Sequence, residues 1–188
     1  MRTGILGGTF DPIHIAHLHT AECALHQLGL GRVLIVPAGD PWQKSAQEIS
    51  PARHRLEMCR LALDGVAGIE LDDREITREG PTYTIETLES FPDDEELFLI
   101  LGSDAVAGIQ TWHRWQDVVQ RATIVEAPRL GFPEGDRRPD VVHLEMGRLE
   151  ISSTDIRRRV AAGLPSRYLV PRAVYEYIAS KNLYAEPH

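Results

Sequence analysis

Leu97-Phe-Leu-Ile-Leu101 is a run of five apolar residues that ends at Gly102. As a strand it offers no polar position to water on either face, so it has to be covered on both sides. Val33-Leu-Ile-Val36, between Arg32 and Pro37, is a second such run, and Arg2 to Leu6 is a shorter one that stops at the turn residues Gly7-Gly8. The stretches between these runs have helical spacing. Ala16, Leu18, Ala21, Ala24, Leu25 and Leu28 recur at helical intervals from Ile15 to Leu28, with Gly29 as a stop. Pro51 to Asp64 predicts a second helix and Thr84 to Phe91 a third. Ile69 to Ile76 alternates like a strand, and Ala122 to Glu126 and Val141 to Leu144 predict two more. Strands alternating with helices need right-handed crossovers. The expected fold is therefore α/β and Rossmann-like, a doubly wound parallel sheet with helices on both faces and a small C-terminal helical part.

The 188 residues suit one domain spanning 1–188, and 43% hydrophobic with 26% charged residues is ordinary globular usage. Twenty Lys and Arg against 28 Asp and Glu give a formal net charge of -8, which argues against a general nucleic-acid binder. Cys23 and Cys59 lie far apart in predicted helices, as buried thiols do, and not at the spacing of a metal or redox pair. MRTGILGG does not resemble a secretion signal and no apolar run reaches a membrane span, so a cytoplasmic location without a membrane partner is expected.

In doubly wound sheets ligands gather beyond the carboxyl ends of the strands. Three stretches occupy such positions: 7–17, 37–44 and 102–104. In GGTFDPIHIAH (7–17), glycines after a strand let the backbone approach a ligand closely, and the amides of Gly8, Thr9 and Phe10 before a helix favour an anion. A plainer reading makes Asp11-Pro12 only a helix cap with a first-turn proline. His14 and His17, three residues apart, share one face. They suit phosphate oxygens, a satisfied structural pair, or zinc, although no third ligand stands at a recognisable spacing. Near the other end, Ser152 and Asp155 fit a capping box. Ser153, Thr154 and, one turn on, Arg157 also make a second nest for an anion. Lys44 and, less so, Arg53 are cations for phosphate or simply surface charges, and Trp112 is either a stacking platform for an electron-poor ring or core.

Together, GGTFDPIHIAH and ISSTDIR resemble the paired fingerprints of the nucleotidyltransferase superfamily, Gly-Thr-Phe-Asp-Pro-x-His-x-Gly-His and Ile-Ser-Ser-Thr-x-x-Arg. Within it, PAGDPWQK (37–44), GPTYTIETL (80–88), LGSDA (101–105) and the pair Trp112 and Trp115 look like bacterial nicotinate-nucleotide adenylyltransferases, a likeness running from Gly4 to about Tyr184. The resemblance implies an enzyme of NAD biosynthesis. It would transfer the adenylyl group of ATP, with Mg2+, to nicotinate mononucleotide, giving nicotinate adenine dinucleotide and pyrophosphate. By position it implies His14, His17, Lys44 and Arg157 as catalytic groups. Gly7, Gly8, Thr9, Phe10, Gly102, Asp104, Ser153 and Thr154 would bind ATP, and Thr82, Tyr83, Thr84 and Trp112 the acceptor. It assigns no protein ligand to the metal and leaves a homo-oligomer open. Ala16 stands where the family pattern has glycine. The competing readings are another acceptor, such as nicotinamide mononucleotide, and a catalytically silent nucleotide-binding regulator.

Overall fold

The computed structural model describes residues 1–39, 49–78, 80–128 and 140–185. Its elements run β1 (Arg2–Gly8), α1 (Ile15–Gln27), β2 (Arg32–Pro37), α2 (Ala52–Ala62), β3 (Ile69–Leu71), α3 (Arg74–Thr77), α4 (Thr84–Glu89), β4 (Glu96–Gly102), α5 (Ser103–Gly108), a 3-10 turn (Ile109–Thr111), α6 (Trp115–Arg121), β5 (Ala122–Ala127), β6 (Val142–His143), α7 (Ser153–Ala161) and α8 (Arg172–Ser180). The six strands form one parallel sheet in the order β3-β2-β1-β4-β5-β6. This is the expected Rossmann-like α/β fold. The strand order reverses between β1 and β4, the place where such sheets leave a crevice at their carboxyl ends.

The apolar runs split between two cores because successive residues of a strand face opposite ways. Leu6, Val33, Ile35, Phe98 and Ile100 pack against α1, α2, α7 and α8 through Ala21, Met58, Ile156 and Val174. Ile5, Leu34, Val36, Leu97, Leu99 and Leu101 pack on the other face against α4, α5 and α6 through Leu88, Val106 and Val118. Gly4 faces the first core, where a Cβ would crowd Leu30 and Val33. Among the described residues no helix is long and apolar enough to cross a membrane.

Three local expectations are corrected. The strand predicted over Ile69 to Ile76 ends at Leu71, and α3 follows. Asp72 is responsible, since its carboxylate accepts the Arg74 amide at 3.0 Å and the Arg74 guanidinium at 2.6 Å, turning the chain. Burial alone would raise the Asp72 carboxyl, but these bonds from Arg74 outweigh it and lower it. Gly7 and Gly8 are not the turn after β1: both stay in register with Val36 and Pro37, and the chain bends at Phe10, φ 50°. Asp11 does not cap a helix that has Pro12 in its first turn. α1 starts at Ile15 with His14 as its N-cap, and the Asp11 carboxylate is engaged elsewhere.

Cys59 is fully buried, and burial pushes its thiol up to about 12, against a weaker opposing pull from Arg55. Cys23 is half-buried, with its thiol raised by burial and then by Glu22. A thiol-alkylating reagent at pH 8 is therefore expected to modify Cys23 slowly in the native protein and Cys59 only after unfolding, as read by intact mass. Above pH 9 the unfolded chain would release the Cys59 proton while the folded chain retains it, so stability drains as pH rises from about 9 toward 12.

Candidate active site

The carboxyl end of β1 carries the first half of the site. A Cβ added at Gly7 would meet no protein atom within 4 Å, so glycine there keeps open space beside the strand. Phe10 takes a left-handed backbone and buries its ring, edge-on to His17 at 4.9 Å between centroids. The buried His14 stacks on His17 with centroids 3.6 Å apart and planes 18° apart, and the His14 amide donates to His17 Nδ1 at 3.3 Å. With Nδ1 accepting, the neutral His17 ring carries its proton on Nε2, a donor suited to a phosphate oxygen.

The second half comes from α7. Ser152 is its N-cap and accepts from the Asp155 amide at 3.1 Å. The next turn reaches back across the whole chain. Ser153 Oγ donates to the Pro12 carbonyl at 2.9 Å and Arg157 Nη1 donates to the Asp11 carbonyl at 2.8 Å, across 141 and 146 residues of sequence. Thr154 Oγ1 accepts from Arg157 Nη2 at 3.4 Å. The early and late anion-favouring segments are thus in direct contact.

Both halves line one cavity of about 750 Å³. Gly7, Gly8, Thr9, Phe10, His14, His17, Ser153, Thr154 and Arg157 stand on it, and so do Gly102, the N-cap of α5, and Asp104 in that helix. Thr82, Tyr83, Thr84 and Trp112 line it too, with Tyr83 tilted against His113 at 4.5 Å and Trp112 packed partly into the second core. The cavity is large enough for a dinucleotide-sized ligand. Ala16, at the position where the resembled pattern has glycine, also faces it. Lys44 lies outside the described residues, as does the loop after Pro128 through Pro139.

Beneath the cavity lies a polar floor that the sequence reading passed over. Arg55 of α2 is 1% exposed and donates to four main-chain carbonyls: Ser50 at 3.0 Å, Thr9 at 2.9 Å, Ala38 at 2.7 Å and Gly39 at 3.0 Å. One guanidinium therefore joins the loops after β1 and β2 to the start of α2. Burial lowers its pKa, and the negative charge of Asp11 partly offsets this. Asp11 is itself 2% exposed, accepting from the Ser50 amide at 3.0 Å and the Tyr184 hydroxyl at 2.6 Å. Gly39 has no room for a side chain, because a Cβ there would overlap the Glu75 carbonyl. A signal for Arg55 existed, since Arg55, Met58, Cys59 and Ala62 form the buried stripe of α2 and an arginine on a core-facing stripe needs partners.

The histidine end of the cavity offers imidazoles, hydroxyls and a guanidinium, donors that suit phosphate oxygens, and the carboxylates of Asp11, Asp104 and Glu150 also stand on the cavity. Among the described residues no group of three or more His, Cys, Asp and Glu converges as metal ligands do.

The cytidylyltransferase-like family matches residues 5–159. A protein of a Roseiflexus species named "Probable nicotinate-nucleotide adenylyltransferase" is 44% identical over 194 residues, covering 96% of each chain. One of the same name from Dehalococcoides mccartyi is 39% identical over 198 residues, covering 98% of this chain and 97% of its own. Among solved structures, the Plasmodium falciparum nicotinic acid mononucleotide adenylyltransferase complexed with NaAD superposes with a TM-score of 0.81 over 97% of both chains at 20% identity, a likeness of fold.

Proposed function

The chain belongs to the cytidylyltransferase-like family and, within it, to the nicotinate-nucleotide adenylyltransferases, and from this membership we propose how its own residues carry out the transfer. The enzyme adenylylates nicotinate mononucleotide in NAD biosynthesis. A phosphate oxygen of the mononucleotide attacks the α-phosphorus of ATP in line. The new O–P bond forms as the bond from the α-phosphorus to the bridging oxygen breaks, and pyrophosphate leaves with that oxygen and its electron pair. No covalent enzyme intermediate is needed, because the acceptor phosphate is already a competent nucleophile. The protein's task is to align two anions and offset their repulsion.

The observation that carries this reading is the meeting of the two anion-favouring segments on one cavity, with Arg157 bonded to the chain that leads into the stacked histidines. His14, His17, Thr154, Arg157 and the main-chain amide of Ser153 supply donors to the ATP phosphates, and Lys44 adds a further cation. Gly7 to Phe10, Gly102 and Asp104 contact the rest of the nucleotide, while Thr82, Tyr83, Thr84 and Trp112 receive the pyridine ring. Magnesium enters as part of the MgATP substrate, where it neutralises phosphate charge.

The test measures pyrophosphate release from MgATP with nicotinate mononucleotide and, in parallel, nicotinamide mononucleotide. The acid acceptor is expected to give the higher kcat/KM. Equal or reversed values would remove the acceptor assignment, and no release with either would favour the silent-regulator reading.

A further inference from the structure

We infer that Tyr184 is a positioning residue for adenylyl transfer, its hydroxyl fixing the Asp11 carboxylate and thereby the main chain that leads into His14 and receives Arg157. This rests on the functional reading above. Nothing in that chemistry calls on Tyr184, which lies 173 residues from Asp11 in sequence and beyond the end of α8. The geometry nevertheless runs through it. Asn182 at φ 51° closes α8 in the left-handed conformation common at helix ends, with its amide on the Ala179 carbonyl and the Leu183 amide on that of Ile178. Tyr184 at φ 65° is a second left-handed residue, so the chain after α8 turns back and delivers the ring to Asp11.

Asp11 is a junction. One carboxylate oxygen takes the Tyr184 hydroxyl at 2.6 Å and the other takes the Ser50 amide at 3.0 Å. The carbonyl of the same residue takes Arg157, and the next carbonyl along, that of Pro12, takes Ser153. A small rotation at residue 11 therefore displaces both the acceptors that dock α7 and the entry to the histidine turn. Burial, and after it the Asp11 charge, pushes the Tyr184 phenol well above the usual range, so the ring remains a hydrogen-bond donor at every working pH. The hydroxyl also meets the Ser50 side chain and, more weakly, Met58 Sδ at 3.9 Å, and neither offers the negatively charged acceptor that Asp11 does.

The experiment compares the full-length Tyr184→Phe variant with wild type, each assayed well below its own melting midpoint and normalised to folded enzyme. The expected result is a kcat lower by roughly tenfold with KM for both nucleotides within about twofold, the signature of misaligned reacting groups. Amide hydrogen exchange across residues 12–18 is expected to quicken. A residue that only held the fold together would lower the midpoint and leave kcat per folded molecule unchanged, and that outcome, or unaltered exchange over 12–18, overturns the inference. Should wild type itself release no pyrophosphate with any acceptor, the functional reading fails, and the exchange comparison alone then decides the role of Tyr184.

Discussion

His17→Ala is expected to bind MgATP within a few-fold of wild type and to lose roughly 100- to 1,000-fold in kcat, the usual effect of removing one preorganised donor to a transition-state oxyanion. The His14 amide occupies His17 Nδ1, which leaves the proton of the neutral ring on Nε2. Stacking on His14 and the edge contact from Phe10 fix the plane of the ring before substrate arrives. A donor held in this way needs no reorganisation as negative charge grows on the phosphoryl oxygens. Its bond therefore strengthens along the reaction coordinate more than in the ground state. Isothermal titration with MgATP, or with an analogue that cannot be cleaved, separates binding from turnover. Full turnover in a folded His17→Ala enzyme would falsify the assignment.

Arg55→Met is expected to cause the largest loss of stability of any single change considered, about 3 to 5 kcal/mol, as removing one member of a buried charged cluster does. The methionine fills much of the volume but abandons four carbonyls and removes a positive charge that interacts with Asp11. For a chain of this size each kcal/mol moves the midpoint by roughly 2 to 4 °C, so thermal denaturation followed by circular dichroism should record a fall of about 6 to 20 °C. A fall of only one or two degrees would mean that water or neighbouring groups satisfy those carbonyls without the guanidinium.

The interior of the fold could be read from the sequence because burial on both faces leaves a composition signal. Runs such as Val33–Val36 and Leu97–Leu101 have few stable alternatives to a central parallel strand. The two fingerprint segments were legible for a different reason, since glycines, histidines and hydroxyl residues at strand and helix ends restrict what the backbone and a ligand can do there. What escaped was decided by tertiary partners. Residues 69–76 keep their alternation, yet the bonds that Arg74 donates to the Asp72 carboxylate end the strand early. Asp11 has the local chemistry of a helix cap, but a half-buried tyrosine and a distant amide compete for its carboxylate and prevail. Tyr184 gave no local signal, because its partner is 173 residues away.

The 141 and 146 residues that separate Ser153 and Arg157 from Pro12 and Asp11 have a consequence for how the molecule is made. A nascent chain exposes its histidine turn early in synthesis but acquires Ser153 and Arg157 only when α7, the second-last helix, has cleared the ribosome. Contacts of such long sequence separation close late and slowly. A stalled or prematurely terminated product would carry most of the sheet and lack a working catalytic centre.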